Sequence, residues 1–264
     1  MTRTESAETA HTTNSKIRLN KFIAMSGFTS RRKADDLIKS GKVQINGEVI
    51  TRMGVEIHPE KDHIEVNGIQ IKNIPSRSYY ILNKPKGYIC ANHSTHGEKL
   101  ITDLLPNIRL STVGRLDKHT TGLLIATNDG EFLNQLAHPS YKCEKEYLVK
   151  IKRKMPQQII EKLQNGIEIE VEKIKNGEKS TQKHFAKPLK VEVMKNQNNL
   201  CVLTVTIGEG KKRQIRLMMQ AIGYRFIDLK RIRVGTLKLG ELESGTYREL
   251  TSEEIDSLRN SSNS

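Results

Sequence analysis

Residues 114–130 read GRLDKHTTGLLIATNDG. The apolar run at 123–127 predicts a buried strand. Gly114, Gly122 and Gly130 stand around it, where tight turns or a close backbone approach are allowed. Ahead of the strand, Arg115 and Asp117 lie two positions apart, so on an extended segment their side chains share a face. Two readings fit: an ionised catalytic carboxylate beside a cation, or an Asx turn opening a strand. Spacing alone favours the turn.

Working outward, alternating or apolar runs predict further strands at 79–83, 111–113, 147–151, 167–171, 189–193 and 201–207. Helical spacing predicts helices at 131–137, 156–165 and 213–222, with a hairpin loop at 196–199. Thr251 followed by Glu254 forms a capping box for a last helix. Many strands and few helices, without strict βαβ alternation, give an α+β class. The expected core is a mixed, mostly antiparallel sheet flanked by helices.

The N-terminal part has a different pattern. Leu19, Phe22 and Ile23, closed by Ser26-Gly27, space as a short amphipathic helix. Ser30 is placed to cap a second helix whose inward residues are Ala34, Leu37 and Ile38 and whose end is Gly41. Asn46-Gly47 and Asn67-Gly68 each sit between alternating apolar residues, which predicts two hairpins. The result is a helix-helix-hairpin module of about 60 residues. Arg31, Arg32 and Lys33 fall at the start of its second helix, where free backbone N–H groups already favour phosphate.

The charge balance narrows the partners. Of 264 residues, 44 are Lys or Arg and 30 Asp or Glu, a net charge of +14. Residues 16–42 hold eight basic residues against Asp35 and Asp36, and residues 209–238 hold nine against Glu209 and Asp228. Two separated basic stretches point to two nucleic-acid contact surfaces, or else to ordinary solvated faces. The sequence argues against a membrane partner, since no apolar run exceeds four residues and about 20 are needed to span a bilayer. The first fifteen residues lack the apolar centre of a secretory signal. Cys90, Cys143 and Cys201 are too far apart for a zinc knuckle or a disulfide framework. A cytoplasmic protein is expected.

IRLNKFIAMSGFTSRRKADDLIKSGKVQINGEVI at 17–50 resembles the small RNA-binding domain shared by a small-subunit ribosomal protein, bacterial tyrosyl-tRNA synthetases and several rRNA-modifying enzymes. The match reaches about residue 64 and implies RNA binding without catalysis. GRLDKHTTGLLIATNDG is similar to the signature of rRNA pseudouridine synthases of the RsuA/RluB type. LNKPKGY at 82–88, HPSYKCEKEYLV at 138–149 and IGEGKKRQIRLMMQAIGY at 207–224 resemble further blocks of that family, and LKRIRVGTLKL closes it. The organisation implied is a disordered tail at 1–15, an RNA-binding domain at 16–72 and a linker at 73–78. A catalytic domain at 79–258 and a second disordered tail at 259–264 follow.

The family turns uridine into pseudouridine within RNA: the base detaches from the ribose, turns, and rejoins through carbon. That needs no redox cofactor, metal or ATP, so no cofactor is expected. It needs a carboxylate near the glycosidic bond, a ring against the detached base and a cation that keeps the carboxylate ionised. By resemblance Asp117 is the essential carboxylate, Tyr147 the ring and Arg216 the cation. Arg115 is placed to fill the gap left by an extruded nucleotide, because chemistry on a stacked base requires extrusion. Lys211, Lys212 and Arg213 are expected on backbone phosphates. Lys145 either orients Tyr147 or faces outward. Leu217 stands where the family often has Arg, which concerns an RNA contact.

HGEKLITDLLP at 96–106 resembles the RluB-like branch, so large-subunit rRNA is expected as the substrate, free or in an assembly particle. Small-subunit rRNA is the alternative, and a non-catalytic RNA-binding assembly factor the rival from another class. A monomer is expected. Two other motifs carry less. Cys90, His93 and His96 are spaced three apart but have no nearby fourth ligand for zinc. Gly208-Glu209-Gly210 lacks the spacing of a nucleotide-phosphate loop.

Overall fold

A computed structural model describes residues 16–71, 74–91, 93–94, 96–141, 143–175 and 178–261. The expected tail at 1–15 lies outside the described residues. The chain divides into two compact units between Ser76 and Arg77.

The first unit begins with β1 (Ile17–Arg18), α1 (Leu19–Met25) and α2 (Arg31–Lys39). It continues through β2 (Val43–Ile45), β3 (Glu48–Ile50), β4 (Glu56–Ile57), β5 (Ile64–Val66) and β6 (Ile69–Ile71). Ser30 caps α2, its Oγ accepting from the Lys33 N–H at 3.3 Å. The asparagines of both Asn-Gly turns adopt positive φ, 53° at Asn46 and 52° at Asn67, as a two-residue hairpin requires. The four-stranded sheet runs β3-β2-β5-β6, and β1 pairs with β4. Leu19, Phe22, Ile23, Ala34, Ile38, Val43 and Ile64 form its core.

The second unit opens with β7 (Tyr79–Lys84), β8 (Ser111–Thr112), β9 (Thr121–Thr127) and α3 (Gly130–Ala137). Next come β10 (Lys145–Ile151), α4 (Gln157–Asn165), β11 (Ile167–Lys175) and β12 (Glu178–Ala186). They are followed by β13 (Lys190–Gln197), β14 (Leu200–Ile207), α5 (Gln214–Ala221) and β15 (Phe226–Val234). The unit ends with β16 (Leu237–Lys238), β17 (Tyr247–Glu249) and α6 (Ser252–Ser261). Nine strands form one sheet along the path β13-β14-β10-β15-β9-β7-β17, with β16 beside β15 and β8 beside β9. Among these pairings only β15 with β9 is parallel. The β11–β12 hairpin is separate.

Both faces of the sheet are covered, and side-chain alternation shows how. Ile81, Leu123 and Ile125 pack with Phe132 and Leu136 of α3 and Leu258 of α6. Their neighbours Leu82 and Leu124 point the other way, onto Ile101 and Leu116. A larger core joins β10, β13 and β14 to α4, α5 and the β11–β12 hairpin.

Three details depart from the sequence reading. The hairpin loop narrows to Asn198 and Asn199, at φ 50° and 57°, because β13 continues to Gln197 opposite Leu200. The helix α6 runs on to Ser261, into the segment expected to be a disordered tail from 259. It continues because Leu258 is buried and Arg259 Nη2 donates to Tyr79 Oη at 3.1 Å. The strands β12 and β15 carry no clear strand pattern in the sequence; β12 is polar along nearly its whole length, and β15 alternates apolar residues with charges.

Candidate active site

Asp117 lies on the segment between β8 and β9. Arg115 is exposed, Leu116 buried and Asp117 partly exposed, the alternation of an extended chain. Leu116 packs on Leu82 and Leu124 and so anchors the segment from below. After Asp117 the chain turns back, with the Thr120 N–H donating to the Asp117 carbonyl at 3.0 Å. That turn is gripped by Lys84, whose side chain is completely buried. Its Nζ donates to the carbonyls of Thr120 at 2.9 Å, Pro85 at 3.1 Å and Lys118 at 3.4 Å. Burial pulls the Lys84 ammonium below its ordinary pKa, while the Asp117 charge pushes it back up.

The strand β9 then passes close beside β15. Gly122 adopts φ +101°, and a Cβ there would fall 2.2 Å from the Arg231 carbonyl oxygen. Only glycine permits that approach.

Arg216, in the first turn of α5, meets Asp117 from the opposite side. Its Nε is 3.2 Å from Asp117 Oδ2, and its Nη2 donates to Thr120 Oγ1 at 3.0 Å. Burial lowers the Arg216 pKa, and the Asp117 carboxylate opposes that shift. Arg213, the residue before α5, places Nη1 3.7 Å from the same carboxylate oxygen. It does so from a left-handed conformation at φ 59°, an unfavourable one for a residue with a Cβ. The loop ahead of it is folded around Gln214, whose side chain accepts from the Lys211 N–H at 3.2 Å and donates to Glu209 Oε1 at 2.7 Å. Glu209 Oε1 also meets His184 Nε2 at 2.8 Å.

Tyr147 on β10 completes the arrangement. It is half-buried against the cores on both sides of it. Its direct partner in the sheet is Arg231 on β15. Arg231 is only 3% exposed; its Nε donates to the Leu123 carbonyl at 2.7 Å. Its Nη2 has no hydrogen-bond partner among the described residues. Lys145 turns its Nζ onto the Cys143 carbonyl at 2.6 Å, and burial lowers its pKa.

A cleft of about 840 Å³ brings these groups together: Asp117, Arg115, Tyr147, Arg216, Lys211, Lys212 and Arg213 all line it. Lys84, Thr120, Gln214 and Arg231 are site residues that sequence reasoning missed. All four lie in quoted blocks, Lys84 in LNKPKGY, Thr120 in GRLDKHTTGLLIATNDG, Gln214 in IGEGKKRQIRLMMQAIGY and Arg231 in LKRIRVGTLKL, so position within a motif was the one available signal. Lys212 is also held by Glu172 of β11 in an ion pair. Arg31, Arg32 and Lys33 belong to the first unit, where they are exposed on the first turn of α2. Leu217 packs against the apolar core beside α5. Among the described residues, no three His, Cys, Asp or Glu side chains gather as a metal site, and Cys90 instead accepts from the Leu116 N–H at 3.5 Å. No helix among them is long and apolar enough to cross a membrane.

Comparison with known proteins bears on the same residues. The sequence profile of the RNA pseudouridylate synthase family matches residues 78–221, and that of the S4 domain matches residues 17–64. Ribosomal large subunit pseudouridine synthase B of Bacillus subtilis is 43% identical over 244 residues, covering 92% of this chain and 95% of that protein. Ribosomal small subunit pseudouridine synthase A of Yersinia pestis is 31% identical over 245 residues, covering 92% and 98%. A crystal structure of a pseudouridylate synthase superposes with a TM-score of 0.63 at 32% identity, covering 92% of this chain and 99% of that one.

Proposed function

The chain belongs to the RNA pseudouridylate synthase family, in its RsuA-type group with an S4 domain, and on that premise we propose that it modifies large-subunit rRNA through Asp117. It is an RNA pseudouridine synthase, acting on ribosomal RNA. The observation that carries the finer reading is the Asp117–Arg216 ion pair inside a basic cleft that Tyr147 also lines.

The isomerisation breaks the bond from ribose C1′ to N1 and forms one from C1′ to C5. The hydrogen leaves C5, and N1 gains one, so atoms and electrons balance without a co-reactant. Asp117 supplies the carboxylate at the reacting nucleotide, and two guanidiniums stand 3.7 and 3.2 Å from its Oδ2. Tyr147 offers a ring face against which a detached uracil is held while it turns. Arg115, exposed beside Asp117, is positioned to occupy the space of the extruded nucleotide. Lys211, Lys212 and Arg213 take the flanking phosphates, and Arg31, Arg32 and Lys33 of the S4 domain take phosphates of the same RNA.

The large-subunit assignment is supported by the higher identity to the Bacillus large-subunit enzyme than to the Yersinia small-subunit one. Mapping pseudouridines in rRNA from cells with and without the gene tests it. One large-subunit uridine is expected to lose its modification and to regain it with the wild-type gene but not with Asp117→Ala. Restoration by Asp117→Ala, or a lost site in small-subunit rRNA, would refute the corresponding part.

A further inference from the structure

The far end of the nine-stranded sheet gathers cations with no carboxylate among them. In the register, Asn196 lies opposite Cys201, Cys201 opposite Ile151, and Ile151 opposite Phe226. The strands β13, β14, β10 and β15 therefore reach one row together, and the turns beyond it share an edge. Segments 151–157, 194–200 and 222–227 meet there; they contain Lys152, Arg153, Lys154, Lys195 and Arg225 and no Asp or Glu. All five are exposed.

The edge is built rather than loose. The Asn196 amide closes on both polar atoms of the Met155 backbone, accepting from its N–H at 3.0 Å and donating to its carbonyl at 2.7 Å. The Met155 side chain is fully buried. The Arg153 guanidinium lies over the Tyr224 ring, 5.3 Å from its centre. Three consecutive cations are thus presented on a pinned turn. The nearest carboxylates along the chain are engaged elsewhere. Glu192 pairs with Lys190 at 2.8 Å, Glu161 accepts from Gln157 at 3.2 Å, and Asp228 stands opposite Lys150 on the neighbouring strand. Like charges held together repel one another, and a polyanion relieves that repulsion.

We propose that this edge is a separate phosphate-contacting surface of the catalytic unit, gripping the substrate RNA backbone away from the modified nucleotide. The inference rests on RNA being the substrate. Lys152 is five residues from Tyr147, the cleft residue nearest to it along β10, roughly 17 Å at the rise of a strand. That is too far to touch the target nucleotide but within the span of a folded RNA that enters the cleft. Contacts of this kind position the RNA and add affinity without reading bases.

The test compares full-length wild type with Lys152→Gln/Arg153→Gln/Lys154→Gln on an rRNA transcript that the wild type modifies, from roughly 50 to 200 mM salt. Affinity is expected to fall on the order of tenfold, and the salt slope by about 0.9 for each phosphate no longer neutralised. The single-turnover rate at saturating enzyme stays unchanged. The charge-preserving Lys152→Arg/Lys154→Arg variant keeps wild-type affinity and slope, which separates charge from folding. Unchanged binding in the Gln variant overturns the proposal, as does an equal loss in the Arg variant. A wild type that modifies no rRNA overturns the functional reading instead, and this surface falls with it.

Discussion

Arg216 spans two atoms of one turn: its Nε stands 3.2 Å from Asp117 Oδ2 while its Nη2 donates to Thr120 Oγ1 at 3.0 Å. The guanidinium is a rigid fork, so it sets the orientation of the carboxylate relative to the turn. Lys84 holds the same turn from beneath through three carbonyls. The turn that carries the aspartate is therefore held by two cations, Arg216 through a side chain and Lys84 through the backbone.

Replacing the fork by a point charge tests this. Arg216→Lys keeps the charge but cannot reach both oxygens. Turnover is expected to fall about a hundredfold, equivalent to about 3 kcal/mol, with rRNA binding nearly intact. Single-turnover kinetics on modified rRNA separate the two. A variant with wild-type rate would show that orientation is not what Arg216 provides.

Arg213 holds a left-handed backbone at φ 59°. Glycine relieves that conformation, so Arg213→Gly should stabilise the fold by up to about 1 kcal/mol. It also removes a guanidinium from the cleft and should weaken rRNA binding. Thermal melting and a binding titration on one sample reveal whether stability and affinity move in opposite directions.

Gly122 faces the Arg231 carbonyl so closely that a Cβ would lie 2.2 Å from it. The neighbour is backbone, so neither side can step aside cheaply. Gly122→Ala should cost about 3 kcal/mol or more by forcing apart the parallel pairing of β9 with β15. Urea denaturation measures the loss; a variant as stable as wild type would contradict the close approach.

Asp129 caps α3, its Oδ1 accepting from the N–H groups of Glu131 and Phe132 at 3.0 and 3.2 Å. Burial alone would raise its pKa; the Tyr79 hydroxyl at 2.8 Å, the backbone N–H groups and Arg77 outweigh it and hold the carboxyl below its ordinary value. A carboxylate whose folded pKa is depressed contributes its stability fully above the unfolded value and loses it as pH falls through the folded one. Asp129→Asn should therefore cost about 2 kcal/mol near neutral pH, with the gap to wild type closing below about pH 4. Melting temperatures across that range check the sign.

The unit Arg77–Ser264 holds its own core and every residue of the cleft. Expressed alone, it should melt in one cooperative transition and bind rRNA more weakly than the full chain. An aggregated fragment would count against the boundary.

The helix pair and two hairpins of the S4 domain were legible from local pattern, because caps such as Ser30 and turns such as Asn46-Gly47 act over a few residues. The order of motif blocks likewise singled out Asp117, Tyr147 and Arg216. The strand β15 was not legible. It runs through the middle of the sheet, yet Asp228, Arg231 and Arg233 interrupt its apolar residues. Two of those charges are tolerated because distant partners receive them: Arg231 reaches Leu123, and Arg233 reaches Glu146 at 2.7 Å and Glu144 at 3.0 Å. Lys84 is another example, a lysine that the chain buries only because carbonyls 34 and 36 residues away converge on it. Short-range pattern therefore determined most of the elements and the motif blocks pointed to the family, while β15 and the neighbours that position Asp117 were decided by folding, since hydrogen bonds across a sheet leave no period in the chain that makes them.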